Sequence, residues 1–214
     1  MNLVYDKDNK ERVPFEHYLE EYKTKDPLEI SARTGFSYFQ EEKSFQVFFF
    51  GKEYRISFPD YEIRFLGEGY SPLLSLPSAR ILVIRFLIEG CQAASTGKFL
   101  TYREIPWGEV YFRQFQGRCL MRLAFSYGNK LEMFQKVMEH LGAERSSEGD
   151  CAYTLEFMEH FYVKFILWAG DDEFPPSAQI LFSDNFAVSF AAEDLAVVGD
   201  ISINMMKALE KKLS

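Results

Sequence analysis

The hydrophobic period of this chain switches repeatedly, and those switches limit the folds open to it. Residues 13–24 place Phe15, Leu19 and Tyr22 at i, i+4 and i+7, one face of a short helix. Asp26-Pro27 then reads as an N-cap followed by proline at the first helical position, and Gly35 suits the stop. From 36 to 65 the period drops to two. FSYFQ, FQVFFFG, EYRISF and YEIRF are aromatic and β-branched runs, cut by EEKS, Gly51-Lys52 and Pro59-Asp60. Tyr54, Ile56 and Phe58 alternate with Arg55 and Ser57, the pattern of an antiparallel meander with one buried face. Residues 66–77 read as a connection. Ser78 is expected to cap a helix running to about Glu89 and ended by Gly90; it is apolar nearly all round and therefore central in the core.

Helical spacing returns after Trp107-Gly108, in a helix weakened near Gly117. Asn129 is expected to cap a second helix, with Leu131, Phe134, Val137, Met138 and Leu141 on one face and Gly142 as the stop. AYTLEF and FYVKFILW then flank MEH as a hairpin, AGDDEFPP is a loop, and SAQILFS is a third strand. Asp184 is expected to cap a short helical turn. Ala192–Leu213 reads as a helix with Glu193-Asp194 in its first turn and Lys211-Lys212 in its last, the order that suits the helix dipole. Helix, strands, helices, strands, helix is an α+β order and not an alternating βαβ one. One α+β domain over 1–214 is expected, antiparallel meanders packed with helices. Its portions 36–58 and 153–183 are loosely alike, as two similar lobes would be, without an identity that proves duplication.

Composition narrows the class. Of the 214 residues 47% are apolar and 22 are Phe, so the chain has ample surface to bury and is not a disordered one. Cys91, Cys119 and Cys151 are too few and too far apart for a disulfide framework, which suits a reducing compartment. MNLVYDKDNKERVPF lacks a signal pattern, and the most apolar run, Ile81–Ile88, is broken by Arg85 and falls short of the ~20 residues a membrane helix needs. A cytoplasmic protein with no membrane partner is expected. The net charge of −8 argues against a nucleic-acid partner, since phosphate neutralisation needs a basic face. That charge is unevenly spread: residues 66–145 carry a net +3 and residues 146–214 a net −8. The two segments either neutralise one another, or Arg103, Arg113, Arg118 and Arg122 receive an anionic ligand.

Several motifs come close to a known chemistry and miss it. Ser95-Thr96-Gly97-Lys98 lacks both the glycine spacing and the hydroxyl of a P-loop. Gly170-Asp171-Asp172-Glu173-Phe174 resembles the signature loop of diguanylate cyclases, but Asp171 stands at the second glycine and no βαββ segment leads in. His17, His140 and His160 form no zinc-binding spacing, and no G-x-S-x-G is present. What remains is a set of loop and helix-end carboxylates. Asp171, Asp172 and Glu173 follow Trp168, while Asp184, Glu193 and Asp194 follow the next strand. Oxygen-rich clusters suit a hard cation; helix caps and a solvated turn explain the same residues without one. Tyr111, Phe115, Arg118 and Arg122 form one helical stripe, aromatic at one end and basic at the other. It suits carboxylate or phosphate, or a core edge whose Arg heads meet the acidic last third.

The runs TGKFLTYREIPWGEVYFRQFQGR, ILWAGDDEFPPSAQILF and EDLAVVGD, together with the earlier DPLEISARTG, are similar to the uncharacterised family catalogued as domain of unknown function 3786, over roughly residues 26–210. The matching positions are Thr96, Gly97, Arg103, Glu104, Gly108, Arg118, Trp168, Gly170, Asp171, Glu173, Phe174, Pro175, Pro176, Glu193 and Asp194. CQAAS, before Thr96, departs from the pattern. The resemblance implies a protein of anaerobic bacteria or archaea and assigns no activity. Some relatives carry a four-cysteine iron–sulfur segment; this chain lacks those cysteines, so no cluster is expected and the cofactor is left open.

The leading expectation is a binding or accessory module for an anionic small molecule or a partner protein. Its site would be a cleft between the Arg103–Arg118 segment and the Trp168–Pro176 loop. Arg103, Glu104, Trp107, Arg118, Trp168, Asp171 and Glu173 are the candidate ligand-binding residues, the two tryptophans serving as stacking walls. The alternative is a divalent-cation-dependent, hydrolase-like enzyme using Asp171, Glu173 and Glu193 as metal ligands or acid/base groups, with Asp172 and Asp194 as further metal candidates.

Overall fold

The computed structural model describes residues 9–213, with side chains from Pro14 onward. It is an α+β protein in which each described strand pairing is antiparallel. The chain divides into two compact units: one formed by the chain up to Val47 together with Glu53–Gln92, the other by Phe48–Lys52 together with the chain from Ala93 on.

The first unit contains α1 (Asn9–Lys23), α2 (Pro27–Thr34), β1 (Tyr38–Phe39), most of β2 (Ser44–Phe49) and β3 (Lys52–Ser57), β4 (Ile63–Phe65), α3 (Pro72–Ser75) and α4 (Pro77–Glu89). Asp26 caps α2 as expected, its Oδ1 accepting from the Leu28 N–H at 2.7 Å, and Gly35 closes the helix at φ 76°. The period-two run becomes strands with Tyr54 and Ile56 fully buried. Two expectations fail here. Residues 66–77 are not all connection: they include α3, capped by Ser71, whose Oγ accepts from the Leu74 N–H at 3.3 Å. Ser78 is no cap either, because α4 starts one residue earlier on Pro77, whose ring presets the helical φ. The other end of α4 is closed by Arg33. Its guanidinium donates to the carbonyls of Gly90, Leu87 (2.7 Å) and Ile88 (3.0 Å), groups that a helix end leaves without partners.

The second unit contains β5 (Phe99–Thr101), a 3₁₀ turn (Tyr102–Glu104), α5 (Gly108–Phe115), a π-helical segment (Gln116–Met121), α6 (Arg122–Tyr127), α7 (Leu131–His140), β6 (Glu144–Ser146), β7 (Cys151–Met158), β8 (Phe161–Trp168), β9 (Ser177–Ser183), α8 (Phe186–Ser189) and α9 (Ala192–Leu213). Its strands run β6–β7–β8–β9–β5. The Phe48–Lys52 hairpin tip joins at β7, where Phe49 pairs with Met158 and the Phe50 N–H donates to the Phe157 carbonyl at 2.9 Å. β5 and β6 escape a sequence reading because three residues cannot display a period. Asn129 does not cap α7: Lys130 holds the N-cap position without a side-chain bond. Asp184 caps nothing; Asn185 precedes α8. Among the described residues no helix is long and apolar enough to cross a membrane.

The expected weakness near Gly117 is the π segment, and its cause is in the spacing. Phe115, Cys119, Leu123 and Tyr127 are all buried and recur every four residues. On an α-helix each such step advances the face by about 40°, so three steps would carry Tyr127 far round the helix from Phe115. The wider π turn takes up that drift and keeps the row on one face.

Candidate functional site

Trp168 pairs with Ser177 across β8 and β9, so the loop 169–176 is a hairpin connection of fixed ends. Asp171 folds it from within. Its Oδ1 accepts from the N–H groups of Glu173 (2.8 Å) and Phe174 (2.7 Å), and its own N–H donates to the Phe174 carbonyl at 2.9 Å. Those two N–H donors hold its carboxyl below the usual range. Two glycines, one inside the loop and one outside it, let the backbone pack closely on Pro176. A Cβ on Gly170 would lie 2.7 Å from Pro176 Cδ, and one on Gly128, in the α6–α7 turn, would strike Pro176 and the Ala124 carbonyl. At the root, the Ala169 N–H donates to Asp150 at 2.8 Å. The outcome is a braced loop with its polar and aromatic tips outward: Asp172 and Glu173 are exposed, Phe174 is 66% exposed and Trp168 40%.

The basic segment is organised differently. Arg103 stacks over Phe112, 3.9 Å from the ring centroid, with its Nε 3.4 Å from Glu109 Oε2. Glu104 closes a capping box on Thr101, accepting from its N–H at 2.7 Å and its hydroxyl at 2.8 Å, bonds that lower its pKa. Trp107 sits at φ 66°, in the left-handed region, and the next residue, Gly108, passes so close to the Tyr102 carbonyl that a Cβ there would collide. Its ring is 76% exposed. Arg118 and Arg122 both reach Asp200 on α9, the former at 2.9 Å, and Arg122 also donates to Asn204. Asp200 and Asn204 were not singled out in the sequence. The excess of acid in the last third pointed to such a pair without selecting its member.

Strand register sets the distance between the two motif-bearing segments. Thr101 stands opposite Leu181, and Ser177, where the loop re-enters β9, lies four residues away, about 13 Å along the strand. The cleft beside the loop, about 480 Å³, is lined by Gly128, Asn129, Lys130, Leu131, Glu132, Ala169 and Gly170. Neither Arg103 nor Arg118 lines it. The wall facing the Trp168–Pro176 loop is therefore the α6–α7 turn, where the Arg103–Arg118 segment was expected.

The remaining carboxylates have bonds of their own. Asp194 is buried and accepts from the Ala191 N–H at 3.0 Å, at the start of α9. Glu193 accepts from the Tyr111 hydroxyl, raising the pKa of that phenol. Asp184 grips the segment before β5: it accepts from the Ser95 hydroxyl (2.6 Å), the Thr96 N–H (3.1 Å) and the Thr96 hydroxyl (2.5 Å). These donors hold its carboxyl below the usual range. Among the described residues no three His, Cys, Asp or Glu side chains are grouped to hold a metal ion.

Comparison with curated proteins and with solved structures finds no match to this chain. The family model described as Domain of unknown function (DUF3786) matches residues 26–205, from the cap of α2 into the last turns of α9 and across every motif described above. The chain belongs to the DUF3786 family.

Proposed function

We propose that this chain is a cytoplasmic accessory module of anaerobic metabolism that binds a partner protein through the Trp168–Pro176 loop. The observation that carries the reading is the combination of internal bracing and outward display. Asp171 and the two glycines hold the backbone, while Phe174 is left 66% exposed between Glu173 and Pro175. A loop fixed before binding loses little conformational entropy on docking, and an aromatic tip on such a loop is an anchor for a partner's pocket. Asp172 and Glu173 favour a basic rim on that partner. The adjoining cleft at Lys130 and Gly170 offers a place for one of its side chains. The free thiols of Cys91, Cys119 and Cys151 suit a reducing compartment, and the anaerobic setting is what the family resemblance suggests.

The hydrolase-like reading has less to support it. Asp171 and Asp194 each commit one carboxylate oxygen to backbone N–H groups, and Glu193 meets Tyr111. A photo-crosslinking residue at position 174, expressed in the native cell, tests the proposal. One discrete adduct, lost when Glu173→Lys is added, is expected. Absence of any adduct at 174, or one indifferent to Glu173→Lys, refutes it.

A further inference from the structure

The outer face of the first unit's sheet sets two like charges side by side. Tyr54 and Ile56 of β3 are buried in the core, so Arg55 and Ser57 face the other way. Arg64 of β4 stands directly opposite Arg55, a pairing that lowers stability unless an anion lies between the two. Glu42, on the turn before β2, takes that place loosely. Its Oε2 lies 3.8 Å from Arg55 Nε, 3.6 Å from Arg64 Nη2 and 3.4 Å from the Ser44 hydroxyl. Three donors converge on one oxygen, and none comes within the about 2.7–2.9 Å of a charge-assisted bond. Arg55 is poorly matched elsewhere too. Its guanidinium lies 4.3 Å from the centre of the Phe39 ring and its side chain is 16% exposed, yet Nη1 is buried with no hydrogen-bond partner among the described residues. Glu53 Oε1, 3.3 Å from it, already accepts from Gln46 at 2.6 Å.

Glu42, Ser44, Arg55 and Arg64 line a cleft of about 470 Å³ within the first unit, together with Ser57 and Glu62. Ser57 Oγ accepts from the Glu62 N–H at 2.9 Å, which leaves its hydroxyl hydrogen to donate. The donors thus come from three strands: Ser44 on β2, Arg55 and Ser57 on β3, Arg64 on β4. A planar carboxylate has two oxygens to divide among them; a phosphomonoester has three, spread as a tripod. Glu42, 53% exposed on its turn, can rotate into solvent when such a group arrives. The cleft is larger than one phosphate. Glu62 lines it with an exposed carboxylate that only accepts, a match for hydroxyl groups on the rest of the ligand.

We propose that this cleft binds a small hydroxylated phosphomonoester, its phosphate bridging Arg55 and Arg64 and displacing Glu42. The site draws on no residue of the 169–176 loop. Ligand-observed NMR titration of the full chain with glycerol phosphate, glycerate and glycerol reads it directly. Saturable millimolar binding of glycerol phosphate is expected, with glycerate weaker and glycerol not bound. Arg64→Ala, at a side chain 68% exposed, is expected to keep the wild-type circular dichroism and to weaken glycerol phosphate about tenfold, the loss of one charge-assisted bond. Glu42→Gln is expected to tighten it, because the competing carboxylate is gone, and a gain of affinity does not come from misfolding. Absence of saturable binding in both the wild type and Glu42→Gln overturns the proposal. So does glycerate bound as tightly as glycerol phosphate, which makes the site one for carboxylates. Binding unchanged in Arg64→Ala, or weakened in Glu42→Gln, overturns it as well, by placing the anion elsewhere.

Discussion

Asp184 and Asp171 look alike in the sequence, each an acid in the segment that follows a strand, and the fold uses them in opposite ways. Asp171 bonds groups two and three residues away and closes its own turn. Asp184 bonds Ser95 and Thr96, 89 and 88 residues away, and so ties the segment entering β5 to the end of β9. The bonds are of the same chemical kind, and the ordering they produce is not. Breaking a local turn frees a few residues, whereas breaking a long-range tie frees a whole connecting segment.

The comparison can be broken first at the outer brace of the Asp171 loop. Gly128→Val would push a side chain into Pro176 and the Ala124 carbonyl. It is expected to lower stability by about 2 kcal/mol in urea titration, making the loop's tertiary seat worth more than its internal turn. The next largest effect is expected from Asp184→Ala. Hydrogen exchange should rise across residues 93–98 while the β7–β8 amides keep their protection. Exchange unchanged at 95–98 would show that Asp184 does not hold this segment.

pH sharpens the contrast. Asp184 and Asp171 have folded pKa values below the ordinary 3.8. Their contribution is complete above that value and drains as pH falls through the lower folded ones. The wild type should therefore lose stability below about pH 4, and Asp184→Asn should flatten that limb. Glu159 is the counter-case. Half-buried beside Glu156 in the β7–β8 turn, its carboxyl is pushed up to about 7 from an ordinary 4.5. Its folded form favours the proton, so the contribution of this one group is greatest below pH 4.5 and is lost as pH rises to 7. Glu159→Gln is expected to stabilise the protein by about 1 kcal/mol at pH 8, with solvent screening taken into account, and not at all at pH 4. The smallest effect is expected from Asp171→Ala, with faster exchange confined to the amides of Glu173 and Phe174 and the urea midpoint almost unmoved.

How far the sequence could be read follows the same division. The cap at Asp26, the stop at Gly35, the alternation through Tyr54 and Ile56 and the limits of β9 and α9 depend on neighbours within a few residues, and all were legible. So was the disturbance at Gly117, though not that it takes the form of a π turn. The misassigned caps have a different origin. Ser78, Asn129 and Asp184 are residue types that cap helices, but Pro77 starts α4, Lys130 takes the cap position of α7, and Asp184 is drawn to Ser95 and Thr96. For the candidate site, the composition of the 169–176 loop could be read and its surroundings could not. The pairing of Arg118 and Arg122 with Asp200, and the use of the α6–α7 turn as the cleft wall, depend on contacts that carry no mark in the local pattern.

The sequence by itself determined the α+β class, the limits of elements such as β9 and α9 and the composition of the 169–176 loop, because hydrophobic period, proline and glycine act over a few residues. Only the tertiary structure decided which acid meets which base and which loop walls the cleft. Those choices are made between residues some eighty positions apart, where burial and packing select one partner from many that are chemically equivalent.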